Sequence, residues 1–238
     1  MSCRSQKRTS QLMPKLRTAS QFLERLDAEL SWRKHDISSM VSAVNGSKGL
    51  ARRALVRALV AITYAHWEGF TKAAVASYAQ HISLQGKTYD SLIVSLAGLR
   101  ALETVSTLGE IKRRIFSSSV LLNKLYSIGS ETASISLESK FAKVGNLNYS
   151  MFTEMMEFVG IDTSTYSSKS ALIDESLLKR RNTIAHGEFI ELDEDEAKAL
   201  VVEIFAILDR IKDDLGGAAA AKSYLRNPAH ARPKEGAL

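Results

Sequence analysis

Three side chains of different chemistry stand close together in the run Lys179-Arg180-Arg181-Asn182-Thr183-Ile184-Ala185-His186-Gly187. Arg181 is a permanent cation, Asn182 an amide and His186 a titratable base. On an ideal helix Asn182 and His186, four apart, share a face, whereas Arg181 and His186, five apart, diverge by about 140°. The expectation is that a loosened last turn beside Gly187 lets the long arginine reach the imidazole. Such a trio suits phosphodiester cleavage. His186 would take the proton of an RNA 2′-hydroxyl. Arg181 would pair with the phosphate and stabilise charge on its oxygens, and Asn182 would orient phosphate or ring. This chemistry needs no metal, and the sequence has no compact His/Cys/Asp ligand cluster. The same spacing also fits a helix-terminal histidine resting on the helix dipole beside a solvated or salt-bridged arginine.

A second group lies upstream, in Tyr64-Ala65-His66-Trp67-Glu68-Gly69-Phe70. His66, Trp67 and Phe70 fall on apolar stripes and read as packing, with one hydrogen-bonded histidine. Glu68 shares the opposite flank with Tyr64. It is a candidate to hold Arg181 or orient His186 from behind, or else an exposed carboxylate. Arg52, Arg53 and Arg57 form a basic cluster that, with Arg180, could contact RNA phosphates; a solvated helix face is the other reading. His35, His81 and His230 have no partner pattern and are expected at the surface.

These residues need helices to position them, and helices are what the chain implies. Its 238 residues contain three prolines, Pro14, Pro228 and Pro233, so residues 15 to 227 are proline-free. A fold of many short strands and tight turns would use more. The periodicity predicts a first helix over Ser10 to Lys34 and a second, central one over Lys48 to Leu84. The middle, from Tyr89 to Ser150, is less regular, with helices at Leu92 to Leu102 and Val120 to Ile128. Short helices follow at Met151 to Val159 and Ser170 to Ala185, closed by Gly160 and Gly187. The last helix runs from Asp193, in a capping-box pattern with Glu196, to Leu215.

Composition bounds the class. Net charge is +6 and the pI about 9.4. Residues 1–20 hold Arg4, Lys7, Arg8, Lys15 and Arg17 and no acid, a basic arm without the apolar stretch of a secretory signal. Cys3 is the only cysteine, which excludes an intrachain disulfide framework. No apolar run approaches the ~20 residues of a membrane span. The expectation is a cytoplasmic protein made of an arm (1–20), a helical domain (21–215) and a flexible Ala-rich tail (216–238).

The run Leu178 to Gly187 resembles the HEPN superfamily (higher eukaryotes and prokaryotes nucleotide-binding). Its mark is an arginine, then a polar residue, and a histidine four to six positions beyond the arginine. Tyr64 to Phe70 resembles the upstream signature of a branch met beside bacterial toxin–antitoxin and phage-defence genes. The likeness spans roughly residues 50–215. It implies an all-α bundle with long antiparallel helices, and a homodimer joining two motif helices in one cleft. It further implies metal-independent RNA cleavage leaving a 2′,3′-cyclic phosphate, with Arg181, Asn182 and His186 as the active residues and no cofactor. The partners implied are RNA and an antitoxin or defence-operon protein. Some members of the superfamily bind nucleotides or RNA without cutting, so a non-catalytic binding module is the alternative.

Overall fold

Thr18 and Gln21 start the first helix. The Thr18 hydroxyl accepts from the Gln21 backbone N–H at 3.1 Å, and the Gln21 side chain accepts from the Thr18 N–H at 3.3 Å. This reciprocal capping box fixes α1 at Ala19–Gly46. The computed structural model describes residues 16–109, 116–141 and 145–226. The predicted start at Ser10 therefore lies outside the described residues, as do most of the basic arm and residues 227–238. Helix α1 also runs a full three turns past the expected Lys34, because Ile37 and Val44 continue the buried stripe of Phe22, Leu26 and Leu30.

A two-residue turn at Ser47 and Lys48 reverses the chain into α2, Gly49–Ser83, which packs antiparallel to α1. From Ala74 to Ala79 every residue of α2 is buried. A helix apolar on all sides belongs at the centre of a bundle, as its broad stripe predicted. His81, expected at the surface, is in fact 2 % exposed. Its Nδ1 lies 2.7 Å from the Leu16 carbonyl, and its ring stacks on Phe22 at 5.5 Å. The backbone acceptor satisfies the imidazole within the core, a partner that no spacing rule reveals.

The middle segment is irregular, as expected. It comprises α3 (Val94–Gly109), α4 (Phe116–Ser127), the single turn α5 (Glu138–Phe141) and α6 (Tyr149–Phe158), with short 3-10 turns between them. Among the described residues there is no strand, only isolated bridges at Thr88–Thr132 and Leu92–Leu225. Asn148 caps α6 through the Met151 N–H at 2.8 Å. A π-helical stretch at Leu172–Lys179 then leads into α7, Arg180–Ala185. Gly187, at φ +74°, ends it in the left-handed conformation.

The last helix, α8, is Glu194–Ala221, with Asp193 accepting from the Asp195 and Glu196 N–H groups at 2.9 and 3.0 Å. It lies antiparallel to α1, pinned by Lys34–Asp209 at 2.6 Å and Lys212–Asp27 at 3.0 Å, and so runs parallel to α2. The expected tail from Gly216 is corrected here. Gly216, Ala218 and Ala219 are buried in the last turns of α8. A Cβ on Gly216 would strike the Leu23 side chain, so the small residues there serve close approach to α1 rather than flexibility.

Candidate active site

The upstream group on α2 divides between two neighbours. Trp67 and Phe70 are fully buried, and Trp67 meets Phe152 of α6 at 6.2 Å between centroids. His66 and Gly69 face α1. The His66 Nε2 lies 2.7 Å from an Asp36 carboxylate oxygen, and its ring meets Trp32 edge-on at 5.2 Å. Gly69 leaves room for the Arg33 guanidinium, whose Nη2 lies 3.6 Å from where a Cβ would stand. Arg33 is buried and ion-paired with Glu29. Burial opposes ionisation of Glu29, but Arg33 and Arg25 outweigh it and hold that carboxyl below its ordinary range. The bonded, packed His66 expected from its place on the apolar stripe is what the structure contains.

Tyr64 and Glu68, one turn apart, face the other way, toward α7. The Tyr64 ring is buried, with its hydroxyl beside the Glu68 carboxylate. Burial, and then the nearby Glu68 carboxylate, push its ionisation well above the usual tyrosine range. Glu68 is ion-paired with Lys72 on its own helix. Among the described residues of one protomer it has no bond to Arg181 or to His186.

Arg181 is held instead from three sides. Its guanidinium carbon sits 4.7 Å over the Tyr64 ring. Its Nη1 donates to Asn146 Oδ1 at 2.7 Å and to Asn182 Oδ1 at 2.8 Å. Both bonds use one nitrogen. Among the described residues Nε and Nη2 have no acceptor, and the Nε–H with the neighbouring Nη2–H forms the side-on edge that matches two oxygens of a carboxylate or phosphate. Asn182 thus orients the arginine.

His186 stands apart. It is exposed at the C-terminus of α7, with its backbone N–H on the Asn182 carbonyl at 3.0 Å. Among the described residues its ring has no hydrogen-bond or ion-pair partner, and nothing joins it to Arg181. The expected reach of the arginine to the imidazole is not made within one protomer, because the guanidinium is committed to Asn146 and Tyr64. Three residues on, the Phe189 side chain is 84 % exposed.

The remaining basic candidates separate clearly. Arg52 is engaged by Glu194 at 3.0 Å and by the Ser47 carbonyl at 2.8 Å, tying α2 to the start of α8. Arg180 is paired with Glu196 at 3.0 Å. Arg53 and Arg57 have no ion-pair partner among the described residues. Asn146 and the ring of Tyr64 were not foreseen as contacts of Arg181. Asn146 carries no periodicity, and only its left-handed backbone, φ +53°, marks it as unusual.

Residues 28–217, most of the chain, match the sequence model of the family described as RiboL-PSP-HEPN. The chain belongs to the RiboL-PSP-HEPN family. The match contains both the α2 signature run and the Arg181 to His186 run, and the all-helical bundle agrees with a HEPN fold. Membership makes the protein a nucleotide- or RNA-related module. No curated protein and no solved structure matches the chain. Among the described residues no group of three or more His, Cys, Asp or Glu could hold a metal ion, and no helix is long and apolar enough to cross a membrane.

Proposed function

We propose that this RiboL-PSP-HEPN protein is a metal-independent endoribonuclease acting as a toxin or phage-defence effector. The observation that carries the reading is the state of Arg181: anchored through Nη1, with its Nε–Nη2 edge unused, one helix turn from an exposed histidine. Such a pre-set fork receives two phosphate oxygens with little loss of side-chain freedom.

In the proposed reaction the neutral imidazole of His186 accepts the proton of an RNA 2′-hydroxyl. The 2′-oxygen forms a bond to the adjacent phosphorus, and the bond from phosphorus to the 5′-oxygen breaks. The leaving oxygen takes a proton from water and departs as a 5′-hydroxyl, leaving a 2′,3′-cyclic phosphate. Arg181 stabilises charge building on the non-bridging oxygens. Because Arg181 and His186 do not meet within one protomer, two copies pairing their α7 helices would supply the complete cleft.

Purified protein is expected to cut RNA in EDTA, with rate per molecule falling on dilution as the dimer dissociates. His186→Ala should abolish cutting while helical content is kept, and should relieve growth arrest on expression. Full cutting by His186→Ala sinks the proposal. Salt-sensitive RNA retention without cyclic-phosphate ends would instead make the protein a binding module.

A further inference from the structure

We propose that Tyr64 and Asn146 are positioning residues that clamp Arg181 and turn its Nε–Nη2 edge toward a phosphate, an inference that rests on the phosphate-binding reading of Arg181. An unrestrained arginine samples many rotamers and can face a ligand with any edge of its fork. Here two independent contacts remove that freedom. The Tyr64 ring lies under the guanidinium and fixes its plane. The Asn146 carbonyl, bonded to Nη1 alone, fixes rotation within that plane. What remains free is the side-on edge.

Both halves of the clamp are themselves held. Tyr64 is buried in α2, with its ring 5.8 Å from that of Trp67. Asn146 precedes Leu147, which is fully buried, and Asn148, which caps α6. The same short segment is fastened a second time to the motif helix, since the Tyr149 N–H donates to Asp174 Oδ1 at 2.7 Å. Asp174 and Arg181 lie seven residues apart along that helix, so two clasps join one loop to it. Asn146 occupies the left-handed region, where asparagine is among the few side chains tolerated. That backbone conformation carries its short carbonyl to the arginine.

The contact with Arg181 is made by the ring, and Tyr64→Phe keeps that ring while removing only the hydroxyl. This separates the clamp from ordinary packing. Asn146→Gly accepts the same backbone angles and removes only the acceptor. It is expected to lower kcat on RNA roughly tenfold with KM and melting temperature little changed, since a small misplacement of a transition-state group acts on rate. Tyr64→Leu should lose at least as much, and Tyr64→Phe should recover most of that loss. Arg181→Ala, run in parallel, reports on the phosphate reading itself.

A readout that does not depend on cutting keeps the two apart. With ¹⁵N-labelled arginine, the intact protein should show, besides the buried and ion-paired Arg33, a guanidinium whose Nη rotation is slow, absent in Arg181→Ala and fast in Asn146→Gly. Slow rotation without RNA cleavage would leave the clamp standing and remove only the nuclease reading. Full kcat in Asn146→Gly, or a freely rotating Arg181 in the intact protein, overturns the clamp. So does Tyr64→Phe failing as completely as Tyr64→Leu.

Discussion

Arg181 lies with its guanidinium carbon 4.7 Å over the ring of Tyr64, and this contact joins the two signature runs of the chain, which stand more than a hundred residues apart in sequence. It explains why an aromatic residue on the central helix and an arginine on a short helix belong to one site. The α2 ring supplies a rigid floor, and α7 supplies the charge that rests on it.

The fork geometry makes Arg181→Lys an informative change. Lysine keeps the positive charge, but one ammonium cannot bond the two asparagine carbonyls that Nη1 holds and still offer a side-on edge. RNA cleavage by Arg181→Lys is expected to fall about 10² to 10³-fold, close to the loss in Arg181→Ala, as when a pre-set transition-state donor is removed. Cleavage rates in EDTA, with circular dichroism to confirm the helices, test this. Near-normal rates in Arg181→Lys would show that charge alone suffices.

Helix content, the central place of α2 and the glycine stops were legible because they depend on local spacing: Gly160 and Gly187 do end their helices at φ +83° and +74°. The contents of the site were legible only as residue types. Arg181, Asn182 and His186 could be picked out, but the partner that holds Arg181 could not. Asn146 lies 35 residues away in a loop without periodicity, and its role exists only after α6 and the motif helix have packed. The pairing of Glu68 with Lys72, one turn on within α2, is likewise a local contact that the residue types alone do not single out. Gly216 and the alanines after it were misread for a related reason. Glycine weakens an isolated helix, yet small residues permit close packing once a neighbour is present, and sequence spacing does not show the neighbour.

That last point is testable at adjacent glycines. Gly217 is exposed and a Cβ there meets nothing, so Gly217→Ala should stabilise the protein by about 1 kcal/mol through helix propensity alone. At Gly216 the same methyl strikes Leu23, so the gain should be reduced or reversed as that side chain shifts. Denaturant midpoints of the two variants decide it. Equal, negligible effects would show that this stretch is not part of α8.

Tyr78 offers a pH test of the core. It is fully buried, its hydroxyl has no hydrogen-bond partner among the described residues, and burial, followed by the nearby Tyr224, raises its pKa from the ordinary value of 10. With the folded value raised, the unfolded chain ionises first. The contribution to stability is therefore complete below pH 10 and is lost as pH rises through the folded value. Tyr78→Phe removes both the titration and the unsatisfied hydroxyl. It should melt higher at pH 7 by an amount equivalent to about 1 kcal/mol, and should lose less stability than the parent protein between about pH 10 and 11. Parallel alkaline melting curves for the two proteins would contradict the assignment.

The basic residues at the start of α2 make separable predictions because only some of them are already occupied. Arg52 is spent on Glu194 and the Ser47 carbonyl, so Arg52→Ala should leave RNA affinity alone and cost under about 1 kcal/mol of stability. Arg53 and Arg57 are unpaired among the described residues and remain available to phosphates. For single-stranded RNA, removing one cation from a phosphate should flatten the plot of log affinity against log salt by about 0.7. The Arg53→Gln/Arg57→Gln double variant should therefore bind more weakly at low salt and converge on the parent protein as salt rises. Filter binding across a salt series, in the His186→Ala background so that RNA stays intact, measures the slope. An unchanged slope would confine RNA contact to α7, whereas a flattened one would extend the RNA path from the Arg181 fork along α2.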